Sequence, residues 1–256
     1  MEYHRPKTIP EAVSLLGRAQ PLGGGTALTP RRREIAAVFD VGGLDLSTLQ
    51  IQGSQVVAGA AVTLQALVEA ESTLPSALVA ACRQEAGWNL RNAATLGGAI
   101  MSGDGRSPFL TVLLALRPSV AFEPGGRQEP LEALLAQRNA SIGQRLLTQV
   151  TFSLPESLCY EQVARSPADR PLVCLAAARW SAVGEGIESS LTLGGFGAHP
   201  IRLTQAEEAA RRGDLEAAGQ AAQQAFADAS DEWASAEYRS QVSRVLLLRV
   251  LREVMS

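Results

Sequence analysis

Apolar positions along the chain change period in a readable way. The opening Thr8-Ile9-Pro10-Glu11 is a capping box with proline in the first turn. It starts a helix that carries Ala12, Val13, Leu15 and Leu16 and stops at Gly17. A short strand through Pro21-Leu22 and a buried, β-rich strand over 35–41 follow, then a strand over 55–60. Thr63 caps a helix with Leu64, Leu67 and Val68 on one face, and 74–86 repeats the helical period at Leu78, Ala81, Cys82 and Glu85. An apolar run from Phe109 to Leu116 reads as a buried helix. After it come a strand over 120–122 ended by Pro124-Gly125-Gly126, a short helix over 130–136 and a long strand over 145–152.

The pattern shifts near Pro155. Three strands are expected over 158–165, 172–181 and 187–193, the last two joined by the hairpin signal Val183-Gly184-Glu185-Gly186. From Thr204 the chain is helical and rich in alanine. Asp214 caps the second of these helices, and the final helix, from about Ser235, is expected to present Tyr238, Val242, Val245 and Leu246 on one face. This gives an α+β chain with a boundary near 155, no internal repeat and no long linker.

Two glycine-rich stretches interrupt the pattern. One is Leu22-Gly23-Gly24-Gly25-Thr26-Ala27-Leu28. The other is Arg91-Asn92-Ala93-Ala94-Thr95-Leu96-Gly97-Gly98-Ala99, which runs into the small-residue stretch Met101-Ser102-Gly103-Asp104-Gly105. Glycine lets a backbone approach a ligand closely, and successive N–H groups in such turns make concave anion sites. A pyrophosphate is a natural guest, with Thr26 and Thr95 as hydroxyl donors. A glycine pair alone more often marks an ordinary tight turn, so the two stretches gain force only together, as two walls of one pocket.

Composition narrows the chemistry. The 256 residues carry a net charge of −3, with 46% hydrophobic positions, which gives no electrostatic case for nucleic acid or an anionic membrane. Lys7 is the only lysine, so a P-loop is excluded and a Schiff-base lysine is disfavoured. Cys82, Cys159 and Cys174 are scattered, without CxxC spacing, and are expected to be reduced core thiols rather than ligands of zinc or an iron–sulfur cluster. His4 and His199 have no ligand-spaced partners, no GxSxG elbow occurs, and no GxGxxG follows a strand. No catalytic side chain and no metal ligand is assigned. The start of the chain lacks the apolar core of a signal peptide, and no stretch reaches a membrane span, so a cytoplasmic location is expected. A chain this poor in catalytic groups is suited to holding a cofactor that does the chemistry.

Taken in order, these motifs resemble the FAD-binding (medium) subunit of the molybdenum hydroxylases, the family of xanthine dehydrogenase and carbon monoxide dehydrogenase. Tyr3-His4-Arg5-Pro6 matches its opening Tyr-x-Arg-Pro, Gly23 to Leu28 its first flavin loop, and Leu90 to Ala99 its second, Ile-Arg-Asn-x-x-Thr-Ile-Gly-Gly-Asn. Leu113 to Leu116, His199-Pro200-Ile201-Arg202 and Ser235-Ala236-Glu237-Tyr238-Arg239 match later signatures.

The resemblance implies an FAD-binding domain over 1–155, with subdomains of about 1–50 and 51–155, of the molybdopterin dehydrogenase type. It implies a C-terminal domain over 156–256, of the CO dehydrogenase flavoprotein type, with a small antiparallel β-sheet and helices. The implied FAD contacts are Leu22, Gly23, Gly24, Gly25, Thr26, Ala27, Leu28, Asn92, Thr95, Leu96, Gly97, Gly98, Ala99, Ser102 and Asp104. The implied role is electron transfer. Electrons come from [2Fe–2S] clusters of a small partner subunit, fed by a molybdenum cofactor in a large one, and leave through FAD to NAD, a quinone or oxygen. A dimer of such three-subunit units is the implied assembly. Ala27, Ala99 and Pro108 depart from the family, which usually has polar residues there. That departure motivates a second reading: a degenerate member with weakened or lost FAD binding that serves as a structural or assembly protein.

Overall fold

The structure is a computed structural model that describes residues 1–141, 143–181 and 187–255. In chain order the first elements are β1 (Glu2–His4), α1 (Ile9–Ser14), β2 (Gln20–Leu22), a 3-10 turn (Thr29–Arg31), β3 (Ala37–Asp40), β4 (Leu49–Gln52) and β5 (Gln55–Gly59). Next are α2 (Leu64–Glu69), α3 (Ser76–Glu85), α4 (Trp88–Arg91), α5 (Leu96–Ser102), α6 (Pro108–Ala115), β6 (Ser119–Glu123), β7 (Arg127–Pro130), α7 (Leu131–Ser141) and β8 (Leu146–Ser153). The rest are β9 (Ser157–Val163), β10 (Val173–Ser181), β11 (Ile187–Gly194), β12 (Ile201–Arg202), α8 (Thr204–Arg211), α9 (Leu215–Ala225) and α10 (Ala236–Met255). The expected hairpin turn at 183–186 lies outside the described residues.

The chain divides into two compact units that are discontinuous in sequence. One comprises 1–74, 86–102 and 118–153; the other comprises 75–85, 103–117 and 154–256. The first unit holds a three-stranded parallel sheet, order β1-β3-β2, and a five-stranded antiparallel sheet, order β4-β5-β8-β6-β7. Thr8 caps α1 as its sequence predicts, accepting from the Glu11 N–H, while the Glu11 carboxylate reaches back to the Lys7 N–H at 2.7 Å. Phe39, Val41, Leu44, Ala12, Ala19 and Leu146 form one core of this unit.

A β-bulge shapes the larger sheet. Ala121 pairs with Gln149 and Phe122 with Leu147, so Thr148 is the extra residue. One extra residue reverses which face the following side chains take. Leu147 and Val150 are therefore both buried although their numbers differ in parity.

The second unit is a four-stranded antiparallel sheet, order β12-β11-β10-β9, packed with α3, α6, α8, α9 and α10. Residues Val173 to Ala178 of β10 are buried on both faces, which explains their unbroken apolar run. All of α6 is buried; Ser107 caps it, and Pro108 takes the first turn, where its missing N–H costs nothing. The final helix differs from expectation. Tyr238 and Val245 are exposed, and the buried stripe is Arg239, Ser243, Leu246, Leu247, Val250, Leu251 and Val254. An arginine at a core position hid this stripe from a hydrophobic reading. Two expected elements also extend or gain neighbours: α7 runs to Ser141, and β7 precedes it.

Candidate functional site

The first glycine stretch leaves β2 at Leu22 and runs to the 3-10 turn at Thr29. Its backbone is unusually bare. The N–H groups of Gly23, Gly24, Gly25, Thr26 and Ala27 donate to no protein acceptor among the described residues, whereas the Gly25 carbonyl accepts from the Thr29 N–H at 2.8 Å. Gly25 has φ +72°, a left-handed backbone that favours glycine.

The second stretch is pinned instead. Leu64 donates to Ala94 O, Leu96 to Val62 O and Gly97 to Ala60 O, all at 2.7 to 2.9 Å. Thr95 caps α5: its Oγ1 accepts from the Gly98 N–H at 3.1 Å, which leaves the hydroxyl proton to donate elsewhere. Gly97 is needed for packing, since a Cβ there would lie 3.0 Å from Ala60.

The two stretches meet. A Cβ on Gly23 would come within 2.4 Å of Thr95 Oγ1, and one on Gly24 within 1.5 Å of Ala93 O. The glycines thus let one loop cross the other, and a cavity of about 380 Å³ opens beside the crossing. Of the expected contacts, Gly23, Gly24, Gly25, Thr26, Ala27, Leu28, Thr95, Gly97, Gly98 and Ser102 line it. Leu22, Asn92, Leu96 and Ala99 are not in the lining. Asn92 turns its amide to Trp88 O at 2.8 Å, Leu96 is buried, and Ala99 is half-buried. Asp104 belongs to the other unit. Its carboxylate takes both guanidinium nitrogens of Arg170 and the Arg106 N–H, on the wall of a separate cavity with Trp233 and Arg165. Pro108, one of the three departures, is also in that unit, inside the α6 cap.

Arg31 also lines the first cavity, and so do residues that local sequence did not mark: Arg138 of α7, Gly143, and Arg145, Leu146 and Leu147 around the start of β8. No local motif announces them, because they reach the glycine loops through the fold of the five-stranded sheet.

The second unit holds a buried polar cluster. Glu85 Oε2 accepts from Ser107 Oγ at 2.7 Å and from the Phe109 N–H at 3.1 Å, and burial pushes this carboxyl above its ordinary range. Burial likewise raises the Cys174 thiol to about 11 and the Cys159 thiol to about 12, so both stay protonated and inert near neutrality. The two C-terminal signatures are structural fasteners. Arg202 forks onto Glu207 at 2.8 and 2.6 Å, and Arg239 is fully buried among Leu172 O, Ala229 O, Ala234 O and the Asp231 carboxylate.

Residues 1–155 match the FAD binding domain in molybdopterin dehydrogenase, and residues 158–254 match the CO dehydrogenase flavoprotein C-terminal domain. The chain is 27% identical to the nicotine 6-hydroxylase medium subunit of Paenarthrobacter nicotinovorans, over 99% of this chain and 96% of that one. It is 27% identical to the carbon monoxide dehydrogenase medium chain of Afipia carboxidovorans, over 98% and 95%. Its fold matches reconstituted CO dehydrogenase from Oligotropha carboxidovorans with a TM-score of 0.83, at 24% identity over 99% of this chain and 97% of that one. With both domain types present in order along nearly the whole length, the chain belongs to the FAD-binding medium subunits of the molybdenum hydroxylases, the flavoprotein subunits of multi-subunit oxidoreductases.

Proposed function

We propose that this chain binds FAD non-covalently at the crossing of its two glycine loops and relays electrons for a molybdenum-containing hydroxylase. The observation that carries this reading is the run of N–H groups from Gly23 to Ala27 that have no protein acceptor among the described residues and border a cavity also lined by arginines. Backbone donors and guanidinium groups together suit a diphosphate. Thr26, Thr95 and Ser102 add hydroxyl oxygens at the rim, and the Gly97 and Gly98 N–H groups are already used inside the protein. When bound, FAD supplies the redox chemistry. The chain's own part is to hold and orient it.

In this reading a small partner subunit delivers electrons from [2Fe–2S] clusters, and a large partner holds the molybdenum cofactor. The relatives are named as medium subunits or chains, which supports that division of labour. The acceptor is NAD, a quinone or oxygen, and the assembly is a dimer of three-subunit units in the cytoplasm. No described helix is long and apolar enough to cross a membrane.

The degenerate reading is not favoured. It rested on apolar residues at Ala27, Ala99 and Pro108, but backbone donors need no side chain, and Pro108 opens a capped helix. The test is a visible absorption spectrum of the purified chain, with a flavin count after denaturation, repeated on the complex co-expressed with its partner subunits. Stoichiometric FAD in either preparation is expected; none in both, with FAD supplied, would return the chain to a structural role.

A further inference from the structure

The second unit carries a cavity of its own, about 650 Å³, within the range of about 300 to 1,000 Å³ that small-molecule pockets occupy. The loops around it are tied to one another. The Gly105 N–H donates to Gly197 O at 2.9 Å, and Arg106 donates from Nε to Pro171 O at 2.9 Å and from Nη2 to Arg170 O at 2.8 Å. Leu172, Phe196 and Trp233 supply apolar surface. Trp233 also gathers charge. The Arg106 guanidinium lies 4.8 Å from its ring centroid and that of Arg165 lies 5.4 Å away, with Arg165 Nη2 donating to Trp233 O at 3.0 Å. An electron-rich ring face orients a guanidinium without neutralising it. Neither Arg106 nor Arg165 forms an ion pair among the described residues, and Arg106 Nη1 and Arg165 Nε and Nη1 meet no protein acceptor there. Asp104 and Asp231, which also border the cavity, are committed to Arg170 and Arg239.

We infer that this cavity binds a small aromatic carboxylate, its charged end shared by Arg106 and Arg165 and its flat body lying against Leu172, Phe196 and Trp233. All of these residues belong to the second unit. Charge decides the class of ligand. With Asp104 paired to Arg170 and Asp231 to Arg239, the uncommitted charges bordering the cavity are the two guanidiniums and the Asp169 carboxylate, which leaves one net positive charge. A monoanion matches that balance. A phosphate dianion would exceed it, in a cavity bordered by three carboxylates. Burial, and after it the charge of Arg170, lowers the Arg106 guanidinium from its ordinary value, so an anion beside it relieves a charge that the protein leaves unmatched. Guanidinium N–H groups fit the two oxygens of a carboxylate, and the apolar lining favours a ligand with a flat hydrocarbon body.

Calorimetric titration of the full chain with benzoate, its neutral isostere benzamide and inorganic phosphate tests this. The proteins are wild type, Arg165→Gln and Asp169→Asn, both changes falling at exposed residues. Wild type should bind benzoate, with benzamide and phosphate each weaker by about tenfold or more. Arg165→Gln should weaken benzoate by about fivefold to tenfold, the effect being limited by the exposure of Arg165. Asp169→Asn should tighten it by about twofold, a shift in the opposite direction that damage to the fold would not produce. Benzamide as tight as benzoate would remove the role of the guanidiniums, and phosphate tighter than benzoate would overturn the carboxylate class. Benzoate affinity that does not fall in Arg165→Gln, or that falls in Asp169→Asn, would overturn the site. So would the absence of benzoate binding at about 10 mM.

Discussion

Gly24 and Ala93 are packed backbone to backbone, so closely that a Cβ on Gly24 would stand 1.5 Å from the Ala93 carbonyl oxygen and 2.2 Å from its carbon. This contact joins the two glycine loops and fixes the width of the cavity beside them. Glycine is required here by the protein's own main chain, before any ligand is considered.

Gly24→Ala should therefore weaken the fold itself. Neither partner is a flexible side-chain tip, so the loops must separate, at a cost of about 2 kcal/mol or more. For a chain of this length that lowers Tm by roughly 4–8 °C. Gly98→Ala is the comparison, since its Cβ would meet only Thr95 Oγ1, at 3.0 Å. Differential scanning calorimetry should show a clear drop for the first variant and a smaller one for the second. Equal melting temperatures would mean that the crossing is not tight.

How far the sequence revealed this arrangement can be seen at particular residues. Thr8, Thr63 and Asp214 cap helices as their sequence predicts, because capping is a local bargain between a side chain and the next turn. The paired glycine loops were legible as two walls of one pocket. What the pattern hid was long-range. Arg138 and Arg145 lie far along the chain from Gly24 and reach the cavity only through a sheet whose register is reset by a bulge. Arg239 was absent from the expected apolar face of the last helix, since burying an arginine is costly unless its partners are in place. Those partners come from Leu172, Ala229 and Asp231 as well as its own helix start, and no spacing rule predicts them.

Arg239→Met takes the guanidinium from Asp231, which keeps only the Trp233 and Ala234 N–H groups, and strands the carbonyls that Arg239 served. A loss of about 3–5 kcal/mol is expected, or a Tm lower by roughly 6–20 °C. Arg239→Lys should recover only part of this, because an ammonium cannot reproduce the five-donor fork. If urea unfolding finds the lysine variant as stable as wild type, the charge matters and the fork does not.

Glu85 makes stability depend on pH in a stated direction. Its folded pKa is raised above the ordinary 4.5 by burial, so the folded state prefers the protonated form. The stabilisation tied to that proton is fully present below the unfolded pKa and is lost as pH rises through the folded one. Glu85→Gln keeps an oxygen for Ser107 Oγ and the Phe109 N–H but carries no charge. The variant should gain stability relative to wild type at neutral pH, and the gain should vanish below about pH 4.5. Urea titrations at both ends of that window measure it, and a pH-independent difference would contradict the assignment.

The apolar departures from the family loops differ in what they leave open. Ala27 lines the cavity, whereas Ala99 is half-buried outside the lining. With FAD in this cavity, as proposed, a hydroxyl placed at residue 27 would meet the ligand and an amide at residue 99 would not. Ala27→Ser should tighten FAD by one hydrogen bond, about 0.5–1.5 kcal/mol or roughly twofold to tenfold in Kd. Ala99→Asn, although it restores the family residue, should leave Kd unchanged. Fluorescence titration with FAD separates the two. A gain at residue 99 with none at residue 27 would move the bound cofactor away from the first loop and onto the outer face of α5.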